Sequence, residues 1–172
     1  MKNIKFLVLL LTIASVLTCE RDDLCPESTP TTQSLVIGFY NNAVQESEKN
    51  VTGLYVIGQD NDDVLTGYDI VNTNELVLPL RTDQDSTTYT LISDTVLDDD
   101  GNYESGNIDI ITINYTREDV YVSRACGYKT IFNNVVVSVD EGTDGEWILF
   151  TEALNDNLTI EDETTTHYFF YH

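Results

Sequence analysis

Positive charge is scarce in this sequence. Eight lysine and arginine side chains stand against 30 aspartate and glutamate side chains, which gives a formal net charge of −22 at pH 7. A chain of this charge repels nucleic acid and anionic lipid head groups alike. We therefore expect no nucleic acid among its partners.

Catalytic signatures are also missing. The sequence contains no G-x-S-x-G elbow, no H-E-x-x-H motif, no P-loop and no glycine-rich dinucleotide fingerprint. Its two histidines, His167 and His172, would point to opposite faces of one strand, so they cannot chelate one ion together. Two carboxylates can cleave a glycoside, and with 30 of them in the chain some pair will always look plausible, so an envelope hydrolase with a carboxylate pair is the alternative. We expect that the protein is not an enzyme and that it holds no cofactor.

Long apolar runs are absent beyond the first 18 residues. The run from Phe6 to Leu17 follows Lys2 and Lys5 and is interrupted only by two hydroxyl side chains. It would span roughly half to two thirds of the hydrocarbon core of a bilayer, so it fits a signal peptide better than a membrane helix. The sequence predicts a signal peptide over residues 1–18.

The end of this run carries a cysteine. The residues "VLTC", ending at Cys19, resemble the lipobox of bacterial lipoproteins, although Thr18 stands where that motif prefers Gly, Ala or Ser. The resemblance implies lipidation of Cys19 and a membrane partner through acyl chains, followed by an acidic tether over residues 19–33. "CERDD" also resembles acidic signals of Bacteroidota outer-membrane lipoproteins, so we expect the cell envelope, on the periplasmic or surface-exposed face. The alternatives are an ordinary secretory signal or a buried first helix for residues 1–18, and an ordinary acidic linker for "CERDD".

Cysteine is rare in the rest of the chain. Without residues 1–18, six basic side chains face 30 acidic ones, a net charge of −24, and only Cys25 and Cys126 remain beside Cys19. An even pair in an oxidising compartment predicts a disulfide between Cys25 and Cys126, with two buried free thiols as the alternative. No metal-binding spacing accompanies these cysteines.

Short blocks of β-branched and aromatic residues, separated by polar turns, fill residues 34–172. They are "SLVIGFYNN", "VTGLYVIG", "ELVLPLR", "TYTLIS", "IDIITINY", "DVYVS", "TIFNNVVVSVD", "EWILFTEAL" and "THYFFYH". This pattern predicts an all-β fold, a single antiparallel β-sandwich of about seven to nine strands, immunoglobulin-like or prealbumin-like. Trp147 lies beyond Cys126, which departs from the true immunoglobulin signature. The aromatic last block leaves a small outer-membrane β-barrel as an alternative.

Two stretches of the sequence resemble a known protein family. The front segment "CERDDLCPESTPTTQSLVIGFYNN" and "INYTREDVYVSRACGYKTIFNN", from Ile113 to Asn134, resemble an uncharacterised family of Bacteroidota lipoproteins, described only as a domain of unknown function. The stretch "YVSRACGYKTIF" is the more specific part of the resemblance. It implies a lipoprotein with a β-rich exported domain over the whole mature chain, and it carries over no catalytic or binding residue.

Two groups of side chains are candidate sites. A weak calcium loop would use alternate oxygen ligands around Gly101, with a hydrated acidic turn as the alternative; its ligands would be Asp98, Asp100, Asn102 and Glu104. A ligand patch for a carboxylate, a glycan or an acidic envelope protein would combine tyrosine faces with cations; its members would be Arg117, Tyr121, Arg124, Tyr128 and Lys129. Internal ion pairs, such as Arg117 with Glu118 or Asp119, are the alternative. The sequence thus indicates an exported, lipid-anchored protein with a non-catalytic binding or structural accessory domain.

Overall fold

The computed structural model describes residues 24–29, 31–59, 63–101, 103–142 and 144–172. These residues form ten β-strands in two five-stranded sheets, slightly more strands than the sequence predicts. The strands are β1 (Leu35–Asn41), β2 (Val44–Glu48), β3 (Val51–Gly58), β4 (Val71–Thr73), β5 (Glu75–Leu78), β6 (Ser86–Leu97), β7 (Tyr103–Ser123), β8 (Gly127–Glu141), β9 (Phe150–Ala153) and β10 (Tyr168–Tyr171). No helix in the described part of the chain is both long and apolar enough to cross a membrane.

The first sheet is built around β1. On one side β1 pairs with β10, which in turn pairs with β9; on the other side the first half of β1 pairs with β5 and the second half with β2. The pairing of β1 with β10 is parallel, whereas the other strand pairs are antiparallel. The sandwich is therefore mostly antiparallel, as predicted, with this one parallel pair in its first sheet.

The second sheet has the order β4-β3-β6-β7-β8. Its two longest strands are β7 with 21 residues and β8 with 15. The blocks "IDIITINY" and "DVYVS", predicted as two strands, form one strand, because β7 continues to pair with β8 across a register shift between Asn114 and Thr116.

The core lies between the two sheets. The parts of β6, β7 and β8 that face it alternate buried and more exposed side chains, as half-buried strands should. Fully buried members from both sheets include Leu35, Ile37, Phe39, Leu54, Leu91, Ile111, Ile113 and Phe170. Burial of each such side chain contributes about 1.5–3 kcal/mol relative to leaving it exposed. The sheets pack face to face and do not close into one barrel, which confirms the predicted β-sandwich.

One buried carboxylate shapes the chain after β8. Asp109 on β7 is 0 % exposed, and its Oδ2 accepts the backbone N–H groups of Trp147 at 3.1 Å and Ile148 at 2.7 Å. Burial raises the pKa of Asp109 above its usual value. Because these N–H groups bond to a side chain and not to a neighbouring strand, the block "EWILFTEAL" becomes a strand only from Phe150 onward.

Candidate binding site at the hairpin tip

The β7–β8 hairpin continues beyond the other strands of its sheet. The pairing of β6 with β7 reaches only Asn114, whereas β7 and β8 stay paired from Thr116 and Asn133 to Ser123 and Gly127. From Thr116 to Ser123, every side chain of β7 is exposed or only partly buried. We call this two-stranded extension, residues 116–133, the hairpin arm.

A tight turn closes the hairpin arm. Arg124, Ala125 and Cys126 connect the paired residues Ser123 and Gly127, and Gly127 has φ of 72°. A three-residue hairpin loop commonly ends in a left-handed residue, and glycine adopts that conformation without a steric cost. The Ser123 Oγ also accepts the backbone N–H of Cys126 at 3.0 Å. The turn therefore holds Cys126 at the end of the arm.

A disulfide joins this turn to the start of the described chain. Cys25 and Cys126, 101 residues apart in the sequence, are bonded, which confirms the predicted pair. The segment after Cys25 also contacts β8, where the Thr130 N–H donates to Thr32 Oγ1 at 2.9 Å. Cys25 and Thr32 are thus both held against the hairpin arm.

Four of the five residues of the predicted ligand patch lie together at this tip. Tyr121 and Tyr128 are directly paired, their ring centroids are 5.4 Å apart, and they are 58 % and 69 % exposed. Lys129 pairs with Val120, so it points to the opposite face of the arm, and Arg124 lies in the turn. The tip therefore presents aromatic rings on one face and cations on the other face and at the end.

The fifth predicted patch residue, Arg117, is engaged elsewhere. Its Nε donates to Asp85 Oδ1 at 2.7 Å, and its Nη1 donates to the carbonyl oxygen of Thr82. The hydrogen bond to Asp85 is the main reason why the pKa of Arg117 is raised. Arg117 thus ties the loop before β6 to the arm, and its partner is neither of the neighbouring acids proposed from the sequence.

The cations at the tip lack this kind of partner. Two ion pairs are present in the described residues, Arg81 with Asp83 and Arg117 with Asp85, and neither Arg124 nor Lys129 takes part in one. The run from Val120 to Phe132 contains no acidic side chain. In a chain with 30 acids, this run therefore carries two positive charges and no negative one.

A cleft of about 260 Å³ lies between the tip and the tether segment. Its lining residues are Cys25, Thr29, Thr31, Thr32, Val122, Cys126, Tyr128 and Lys129. Hydroxyl groups and one ammonium group suit a small anionic or polyhydroxyl ligand. Sequence reasoning missed the threonines, which lie about a hundred residues before the arm; the predicted disulfide was the signal that could have placed them there.

Most of the chain, residues 53–172, matches DUF6452, a family of unknown function. The chain belongs to this family. The match includes the whole hairpin arm with the stretch "YVSRACGYKTIF", whereas Cys25 and β1 precede it. The match to DUF6452 therefore covers fewer residues than the resemblance inferred from the sequence, which extended over the whole mature chain. No curated protein and no solved structure matches the chain.

A second cavity, of about 380 Å³, opens beside the first residues of β6 and the loop that connects β5 to β6. The Tyr89 hydroxyl donates to the carbonyl oxygen of Pro79 at 2.5 Å, and the Tyr115 hydroxyl donates to that of Arg81 at 2.8 Å. Burial, with a smaller effect of Tyr115, raises the pKa of Tyr89 to about 12, so its hydroxyl stays protonated. These two hydroxyls fasten the loop, and Pro79 ends β5 because it has no N–H to donate.

The predicted calcium loop is a turn at the surface. Asp98 Oδ1 accepts the N–H of Asp100 at 3.0 Å, and the Gly101 N–H donates to the Asp98 carbonyl at the same distance. Asn102, a further predicted ligand, lies outside the described residues, as do Cys19 and the predicted signal peptide. No cluster of three or more His, Cys, Asp or Glu side chains placed to hold a metal occurs among the described residues. Calcium binding stays a prediction.

Proposed function

We propose that the protein is an exported, lipid-anchored envelope protein whose β-sandwich acts by contact, as a non-catalytic binding or structural accessory domain. The observation that carries this proposal is the disulfide between Cys25 and Cys126. Structural disulfides form and persist mainly in oxidising compartments outside the cytosol. An exported chain needs a signal, and the charged start and apolar run before Cys19 have the form of one.

Lipid anchoring gives a role to the acidic segment that precedes the sandwich. Cys19 lies at the end of the apolar run and only six residues before the disulfide-bonded Cys25. Two or three acyl chains bind a bilayer stably, whereas one chain binds it only marginally. The proposed site is the outer membrane, on its periplasmic or surface-exposed face.

Binding by contact is better supported than catalysis by the described side chains. Four cavities between described residues are each lined by at most one carboxylate, whereas a hydrolase of the carboxylate type needs two. Asp109 has a raised pKa, but it is fully buried and hydrogen-bonded to backbone N–H groups. The tip offers exposed tyrosines and two cations that form no ion pair with the described residues, and such side chains act by contact with a polar or anionic surface.

Mass spectrometry of the native protein tests the anchor. We expect the mature chain to begin at Cys19 with a mass increase from diacylglycerol and an amide-linked acyl chain, and the protein to fractionate with membranes. A Cys19→Ser variant should lose both properties. The matched control is Cys25→Ser, which removes the disulfide and should leave membrane fractionation unchanged. An unmodified amino terminus, or identical fractionation of the Cys19→Ser variant, contradicts the proposal.

A further inference from the structure

The tether ends at the tip of the hairpin arm. The disulfide holds Cys25 against Cys126 in the turn, and Cys19 precedes Cys25 by six residues. Even a fully extended chain of six residues spans at most about 22 Å. Any group attached to Cys19 is therefore kept within about 22 Å of Cys25, whatever the conformation of the residues between them.

The tip carries side chains that suit a lipid–water interface. Tyr121 and Tyr128 expose more than half of their surface although they contact each other. Tyrosine combines an apolar ring with a polar hydroxyl, and such side chains are enriched at the level of lipid head groups. Core packing does not account for these two rings, since the arm has left the sandwich at this point.

Charge is unevenly distributed between the tip and the rest of the chain. Arg124 and Lys129 give the run from Val120 to Phe132 a charge of +2, the tether over residues 19–33 carries −3, and the rest of the mature chain carries −23. Lipid phosphates attract the two cations of the tip, and they repel the rest of the chain far more strongly than the small net charge of the tip and tether together. The two forces turn the molecule in the same direction, with its tip toward the surface, which total charge alone does not indicate.

We propose that the tip of the hairpin arm, residues 121–129, is the surface that the anchored domain turns toward the membrane. Tyr121 and Tyr128 enter the head-group layer there, and Arg124 and Lys129 contact lipid phosphates. This inference rests on the proposed lipid anchor at Cys19. The short tether keeps the tip end of the sandwich near the bilayer, and the tyrosines and cations of the tip suit the lipid head groups found there. The opposite end, with the β1–β2 turn and the loop between β6 and β7, then faces away from the membrane.

Short-range fluorescence quenching tests the orientation. In the oxidised mature chain Cys19 is the one free thiol, so it can be coupled to a maleimide lipid and placed on vesicles. The vesicles contain equal parts of phosphatidylcholine and phosphatidylglycerol with brominated acyl chains. The reporter variant is Tyr121→Trp, and the matched control is Tyr103→Trp, at an exposed tyrosine 18 residues away on β7, about 60 Å along the strand. The parent protein, with its buried Trp147, gives the background.

We expect the Tyr121→Trp signal to be quenched and blue-shifted, and the Tyr103→Trp and parent signals to be unchanged. Each basic side chain near an anionic surface favours contact about fivefold, so adding Arg124→Ser and Lys129→Ser should weaken contact about thirtyfold and remove most of the quenching. Vesicles of phosphatidylcholine alone, which carry no net charge, should likewise remove most of the quenching of the Tyr121→Trp variant.

Equal quenching in both tryptophan variants, or none in either, overturns the inference; a tip that stays in water is a surface for a soluble glycan or a protein. The chemical graft separates this outcome from the proposed function. If the native chain carries no acyl group, the anchor proposal fails. If the grafted protein keeps its tip in water, the orientation alone fails.

Discussion

Breaking the disulfide is expected to cost a large part of the stability of the domain. The bond closes a loop between residues 101 apart, which contains seven of the ten strands. A chain-entropy treatment gives about 4.7 kcal/mol for a loop of this length, because the cross-link restricts the unfolded chain. For a domain of this size such a loss lowers Tm by about 15 °C.

Urea unfolding of the mature domain, followed by the fluorescence of Trp147 and by far-ultraviolet circular dichroism, measures this loss. Three variants are needed: Cys25→Ala, Cys126→Ala and the double variant. Either single substitution breaks the same bond, so all three should lose about the same free energy of unfolding. The reduced parent protein should behave like them, which separates the bond from the packing of the side chains.

Two results would refute the loop-closure reasoning. One is a loss below about 1 kcal/mol, which would show that the bond does not restrict the unfolded chain. The other is additivity, with the double variant losing the sum of the two single variants, which would assign the effect to local packing of each cysteine.

Three further predictions concern titration and metal binding. Burial raises the pKa of Asp109 in the folded protein, so the free energy of unfolding of the parent protein should fall as pH rises from about 3.9, the usual pKa of an aspartate, toward the raised pKa. Asp109→Asn keeps an oxygen that can accept the two N–H groups, and urea unfolding of this variant should show no such fall. An unchanged pH dependence would contradict the role of Asp109. Burial lowers the pKa of His167, whose Nδ1 accepts the Val36 N–H at 2.9 Å, so stability should fall as pH drops below about 6.5, and parallel profiles for the parent and His167→Gln would contradict this. If the acidic loop binds calcium, millimolar Ca²⁺ should raise Tm more than matched NaCl, and Asp98→Asn should abolish the difference.

Local sequence patterns predicted the strands that bury one face. β6 and β8 alternate buried and more exposed side chains over much of their length, as follows from the pleat, whereas β1 and β10 are short, almost wholly apolar or aromatic runs. β2 escaped this reasoning because all five of its side chains are exposed, so it has no apolar pattern. It follows a turn in which Asn41 Oδ1 accepts the N–H groups of Ala43 and Val44, and it pairs with β1 at the edge of the sheet.

The site was predictable only where its residues are neighbours in the sequence. Tyr121, Tyr128 and Lys129 lie in one short run, and the hairpin places them together. Arg117 was assigned to the same patch, but its partner Asp85 is 32 residues away and reaches it only because β6 lies beside β7. Neither this contact nor the parallel neighbour of β1 leaves a local pattern, since both depend on how the strands are arranged in the sheets.

The parallel pairing of β1 with β10 sets an order of folding events. β1 is the first described strand and β10 is the last, so one edge of β1 keeps unpaired N–H and C=O groups until β10 has been synthesised and has paired with it. Contacts between such distant parts of a chain form slowly. While the chain is being synthesised, this edge of β1 can pair with an exposed strand of a second copy, so misassembly between copies competes with folding until β10 is present.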